Sequence, residues 1–265
     1  MPKPVADIAA AVEETTAHWR DDRRARQLRR QLDPAEFDLL RQADLLRLIA
    51  PADVGGLWEG PATSARPLCE IYRRLAGADA SVALVSSMHP AVISYWLVSP
   101  ANPAPECEAQ RRGVFASAVA GEQWGTITSE PGSSGNLNRT RAVAAPRDAP
   151  PFLPGRSYGV TGDKHFGSGT GITHRMMTTA IPEEETDPTV FVLDVRDRPW
   201  DGTAGRRLVA EWNGMGMAAT QSHTMRLEGT PAVRMAWNDP HRRAQPSCGA
   251  LRDYAFHGRC AGSAR

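Results

Sequence analysis

The chain has 265 residues and a formal net charge of +1, from 31 Lys and Arg against 30 Asp and Glu. That near balance excludes a globally basic, polyanion-coating protein, and 41% apolar with 23% charged residues excludes wholesale disorder. The length permits one large domain or two ordinary ones around a real core.

Residues 5–32 are rich in Ala, Leu, Glu, Gln and Arg and predict a long surface helix. Its cluster Arg20, Arg23, Arg24, Arg26, Arg29 and Arg30 is interrupted by Asp21 and Asp22 and lacks an aromatic ladder. It reads as a solvated helix face, so no nucleic-acid partner is expected. Asp33-Pro34-Ala35-Glu36 is a helix start: an Asp cap, Pro at the first helical position and Glu closing a capping box. Phe37, Leu40, Ala43 and Leu48 give that helix one apolar face, which ends at Pro51. A third helix carries Leu68, Ile71, Tyr72 and Leu75 at i, i+3, i+4, i+7. A fourth, from Asp79, is apolar nearly all round and predicts the centre of a helical layer. Its run Val82–Val98, broken by Ser86, Ser87, His89 and Pro90, is short for a membrane span and reads as a buried helix, so no membrane partner is expected. His89 lies mid-helix there, either as a hydrogen-bonded core histidine or as a catalytic acid/base.

Pro100, Pro103 and Pro105 mark a linker. Beyond Gly113, short Val-, Thr- and aromatic-rich runs alternate with turn residues, and they predict strands at 114–120, 124–129, 139–144, 158–161, 176–181, 190–195, 207–211 and 224–227. This spacing predicts a small β-barrel or sandwich, not βαβ units. The expected fold class is α+β: an N-terminal helical domain (1–112), a β-barrel domain (113–237) and an irregular tail (238–265). The tail has no periodicity and holds Cys248 and Cys260. It reads as a natural disordered tail or as a shifted or truncated reading frame.

Cys69, Cys107, Cys248 and Cys260 form no C-x-x-C, so neither a disulfide framework nor a zinc site is expected. The N-terminus has no apolar signal region, and a reducing cytoplasmic location is the expectation. Gly167-Ser168-Gly169-Thr170-Gly171 is not a dinucleotide loop, because Ile172 stands where glycine is needed and a strand-like stretch follows instead of a helix. Two other segments, 126–135 and 162–169, each end a strand in hydroxyl residues and then enter a Gly-rich turn. Together they offer N–H groups, hydroxyls and an aromatic wall, as a flat heteroaromatic ring with polar edges requires; two ordinary β-turns are the plainer reading.

These residues carry a resemblance. Thr128-Ser129-Glu130-Pro131-Gly132-Ser133-Ser134-Gly135-Asn136 resembles the T-E-P-G-S-G-S-D signature of the acyl-CoA dehydrogenase family. The stretch 160–168 resembles its G-x-K-x-W-I-T/S strand, 212–220 its L-G-M-R-G-S, Ala50–Gly56 its P-E-E-Y-G-G, and 79–89 its helix before the linker. The resemblance covers about 35–235. It implies an N-terminal helical domain and a middle barrel, with FAD lying against the barrel. Thr126, Thr128 and Ser129 would bond the flavin pyrimidine, Phe166 would stand against the ring, and Ser168 would lie near N5. Ser133 or Ser134 would meet a substrate phosphate. The implied activity is α,β-desaturation of an acyl-CoA thioester, with an electron-transfer partner and a homo-oligomeric full-length protein. The family's C-terminal helical domain, which supplies its glutamate base, has no counterpart in the chain, so the resemblance implies an incomplete form and leaves no base to assign. The second reading is a reduced-flavin-dependent monooxygenase on the same fold, similar to dibenzothiophene monooxygenase, using reduced FMN, with His89 as its acid/base. A third is a non-catalytic remnant.

Overall fold

A computed structural model of the chain describes residues 3–97, 104–133 and 136–236. Ser134, Gly135 and the expected tail lie outside them. The chain runs as α1 (Val5–Ala17), α2 (Arg23–Leu28), α3 (Pro34–Gln42), α4 (Pro61–Ala78), α5 (Ala80–Ile93) and α6 (Pro105–Val119). Seven strands follow: β1 (Trp124–Thr126), β2 (Val143–Pro146), β3 (Ser157–Gly167), β4 (Arg175–Pro182), β5 (Thr189–Asp194), β6 (Arg206–Ala210) and β7 (His223–Arg234). This is the expected α+β class, helices first and a β-barrel after.

The helix expected over 5–32 is instead broken. A 3-10 turn at His18–Arg20 and a turn at Asp21–Asp22 fold α2 back, so that Arg26 stacks 4.2 Å over the buried Trp19 ring. The arginine face is not wholly solvated. Arg26 and Arg29 both reach Glu36 (2.5 and 2.8 Å) and Asp79 (2.9 and 2.8 Å). Glu36 therefore serves this buried network, not the expected capping box, although Asp33 caps α3 as expected by accepting from the Ala35 N–H at 2.9 Å. The expected strand at 114–120 is the last part of α6, which starts at Pro105 with Glu106 and Glu108 in its first turn and buries Val114, Phe115 and Ala118 on one face.

Helix α5 is the centre of the helical layer. Its cap Asp79 accepts from the Val82 N–H at 2.9 Å. Pro90 sits inside it and has no N–H to give back along the helix. The Ser86 carbonyl four residues earlier accepts instead from the Tyr72 hydroxyl of α4 at 3.2 Å. Among the described residues no helix is long and apolar enough to cross a membrane.

The sheet closes on itself through the order β4-β2-β3-β7-β5, with β5 pairing back onto β4. β1 lies parallel on β4 beside β2, and β6 pairs with β7. Strand β5 shows how the barrel is fixed between two cores. Phe191 and Leu193 point inward with Val160, Met176, Met225 and Leu227, whereas Val190 and Val192 point outward onto Val92, Trp96, Phe115 and Trp124. Closure leaves few free edges, and α5 and α6 cover the barrel's apolar outer side.

Candidate functional site

The two segments singled out from sequence meet. The His165 N–H donates to the Ser129 carbonyl at 2.8 Å, an isolated antiparallel bridge just beyond β1. Gly167 permits the approach: a Cβ there would lie 2.7 Å from Ile127 Cδ1, and Ile127 is fully buried and has no room to yield.

A buried ion pair locks the same junction. Lys164, with no exposed surface, donates from Nζ to Glu130 Oε1 at 2.6 Å, to the Thr179 carbonyl at 2.7 Å and to Thr140 Oγ1 at 3.3 Å. Glu130 also accepts from the Thr140 hydroxyl and from the Arg141 N–H at 2.7 Å. Burial by itself would raise the Glu130 carboxyl. Lys164, Thr140 and the Arg141 N–H overcome that and hold it below the ordinary carboxylate value. The pair joins four chain segments. Sequence reading passed over it, although a Glu in one Gly-rich segment and a Lys in the other were the available signal.

Thr126, Thr128 and Ser129 stand half-buried in a row at the end of β1. The Thr126 hydroxyl reaches Met88 Sδ at 3.8 Å. The Thr128 and Ser129 hydroxyls have no partner among the described residues. Phe166 is 55% exposed and holds a left-handed backbone, φ 58°, which costs energy for a bulky side chain. Its ring meets Trp212 edge-on at 6.0 Å. Ser168 is buried, and its Oγ lies 2.8 Å from Ser222 Oγ, which in turn lies 2.7 Å from Thr220 Oγ1. These three hydroxyls form one hydrogen-bonded row, and Ser222 and Thr220 were not foreseen. Unpaired hydroxyls on one side and an exposed aromatic on the other fit the polar edge and flat face of a flavin ring.

Two expected roles do not fit their surroundings. Ser133 is buried, with its hydroxyl folded back to donate to the Glu130 carbonyl at 3.0 Å. It closes its own turn and is not presented to a ligand phosphate. His89 is 1% exposed; Nε2 lies 3.0 Å from the Leu46 carbonyl, and Nδ1 accepts from the Trp124 N–H at 3.2 Å. Burial pushes its pKa down to about 4, so the ring is neutral at physiological pH and both nitrogens are occupied by backbone. It anchors the start of β1, two residues before Thr126, and is not free as an acid/base.

No family model matches the chain, and no curated protein matches it. Solved structures do. FMN-bound TdsC from Paenibacillus sp. A11-2, a dibenzothiophene monooxygenase, superposes with TM-score 0.64 at 23% identity, over 89% of this chain and 53% of that one. The HsaA monooxygenase from M. tuberculosis gives 0.60 at 17%, over 88% and 52%. XiaF from Streptomyces sp., in complex with FADH2 and glycerol, gives 0.58 at 17%, over 86% and 50%. The chain thus spans about half the length of these proteins and shares their fold. The acyl-CoA dehydrogenase assignment and acyl-CoA desaturation are corrected by this result: TdsC and HsaA are monooxygenases, TdsC and XiaF were solved with a bound flavin, and none of the three is a dehydrogenase.

Proposed function

We propose that the chain is the helical and barrel portion of a reduced-flavin-dependent monooxygenase acting on a small apolar substrate. One observation carries the reading: the Ser129–His165 bridge sets unpaired Thr128 and Ser129 hydroxyls beside the exposed, left-handed Phe166. Support also comes from the fold shared with FMN-bound TdsC, whose structure has also been solved with FMN and indole.

When bound, reduced flavin supplies the two electrons that activate dioxygen. The chain's own residues would hold and orient the ring. Thr126, Thr128 and Ser129 would hold the polar edge of the ring, and Phe166 with Trp212 would wall its face. Ser168 Oγ would hold a proton at the end of the Ser222–Thr220 row, where a hydroxyl both donates and accepts. His89 is a positioning residue, fixing β1 through the Trp124 N–H.

The test is a titration of the chain with FMN, followed by flavin fluorescence, and then dioxygen uptake with chemically reduced FMN in the presence of indole. Saturable FMN binding that Ser168→Ala weakens supports the assignment. Absence of saturable binding of either FMN or FAD refutes it and favours the non-catalytic remnant.

A further inference from the structure

A cavity of about 480 Å³ opens between α3 and the barrel, walled by the turn at 171–174, the segment 195–200 and the start of β6. None of Thr126, Thr128, Ser129, Phe166 or Ser168 lines it. Phe37, Ile172 and Trp200 form its apolar walls, and Arg41, Arg198 and Arg206 supply cations.

Arg206 is the anomaly. It is 2% exposed. Its Nη2 donates to the Val195 carbonyl at 3.2 Å and the Arg198 carbonyl at 2.8 Å, while Nε and Nη1 are buried with no partner. No carboxylate reaches it among the described residues. Arg29 Nε and Arg175 Nη1 also lack a hydrogen-bond partner, but among the described residues those buried guanidinium groups each have a carboxylate: Arg26 and Arg29 have Glu36 and Asp79, and Arg175 has Glu122 at 3.2 Å and Asp194 at 2.6 Å. The neighbouring Arg198 has its own Nε buried and unpartnered, and its nearest carboxylate, Asp194, is 3.9 Å away. The cavity's acids do not make up the difference. Asp38 is already paired with Arg41 at 2.5 Å, and Asp197 is exposed at the rim. A cation taken from water without a counter-charge is costly, and the cost falls when an anion binds against it.

We propose that this cavity is a binding site for a small organic carboxylate with an apolar body. Its carboxylate faces Arg206 and Arg198, and its body rests against Phe37, Ile172 and Trp200. Guanidinium groups suit a planar carboxylate, and the aromatic walls favour an aryl or alkyl frame over inorganic phosphate. The site shares no residue with the proposed flavin site and stands or falls without it.

Isothermal titration of the full 265-residue chain at low salt tests this, with benzoate and indole-3-acetate as probes against benzamide and indole-3-acetamide. At least one acid is expected to bind tenfold or more tightly than its amide. Arg206→Met and, separately, Arg198→Gln are each expected to lose that preference, while FMN titration stays at the wild-type value. Should Arg206→Met not fold, Arg198→Gln decides by itself. Acids that bind no better than their amides overturn the proposal, and so does a folded variant that keeps the wild-type preference.

Discussion

Replacing Lys164 by Met breaks the most deeply buried ion pair among the described residues. Lys164 has no exposed surface and the Glu130 side chain is 3% exposed, so water cannot replace the lost ammonium. Glu130 keeps only neutral donors, the Thr140 hydroxyl and the Arg141 and Ala142 N–H groups. Removing one partner of a buried pair costs about 3–5 kcal/mol, because the other charge stays behind uncompensated. At about 2–4 °C per kcal/mol for a chain of this size, the Tm falls by about 6–20 °C. Urea unfolding followed by far-UV circular dichroism measures the loss directly. The double variant Lys164→Met/Glu130→Gln removes both charges and is expected to recover at least half of it, a coupling of about 2 kcal/mol in the cycle. The pH dependence has a defined sign. Glu130 titrates below its ordinary value of 4.5, so its contribution is complete above 4.5 and is lost as pH falls through the lower folded-state value. A loss under about 1 kcal/mol for Lys164→Met, or a double variant as unstable as the summed singles, refutes the reasoning.

Three further outcomes follow from the geometry. His89 titrates near 6.5 when unfolded and at about 4 when folded, so its stability contribution, about 3 kcal/mol, is complete above 6.5 and drains away between 6.5 and 4; urea midpoints at pH 7, 6 and 5 should fall in wild type and fall much less in His89→Gln. Tyr72→Phe leaves the Ser86 carbonyl without the donor that Pro90 cannot be, and should cost about 1–3 kcal/mol in the same unfolding assay; a neutral result would show that water reaches that carbonyl. Phe166→Ala removes an exposed ring, so the Tm should hold, while FMN affinity drops about tenfold, or about 1.4 kcal/mol, in a fluorescence titration.

Periodicity and turn chemistry act over a few residues, and what they control was legible in the chain. Asp33 and Asp79 declare two helix starts through caps that need only local backbone. The all-round apolar α5 reads as central, and the strand runs beyond residue 124 read as a barrel or sandwich. The segments around 128 and 166 stand out by their own hydroxyls and glycines, but ordinary β-turns are the plainer reading of such residues, and only the closed barrel shows that the two meet. Elsewhere local signals failed where a distant partner decided. The run 114–120 has strand-like Val and Phe, yet it is helical because α6 packs one face against the barrel. Arg26, Arg29 and Glu36 look like surface charges, yet they converge on Asp79, some 50 residues further along the chain for the two arginines. The Glu130–Lys164 lock, the backbone-bound His89, the hydroxyl row behind Ser168 and the unanswered Arg206 all depend on contacts between segments far apart in sequence. Burial and distance set the charge state and the hydrogen-bond partners of these side chains, and neither quantity exists until the barrel has closed.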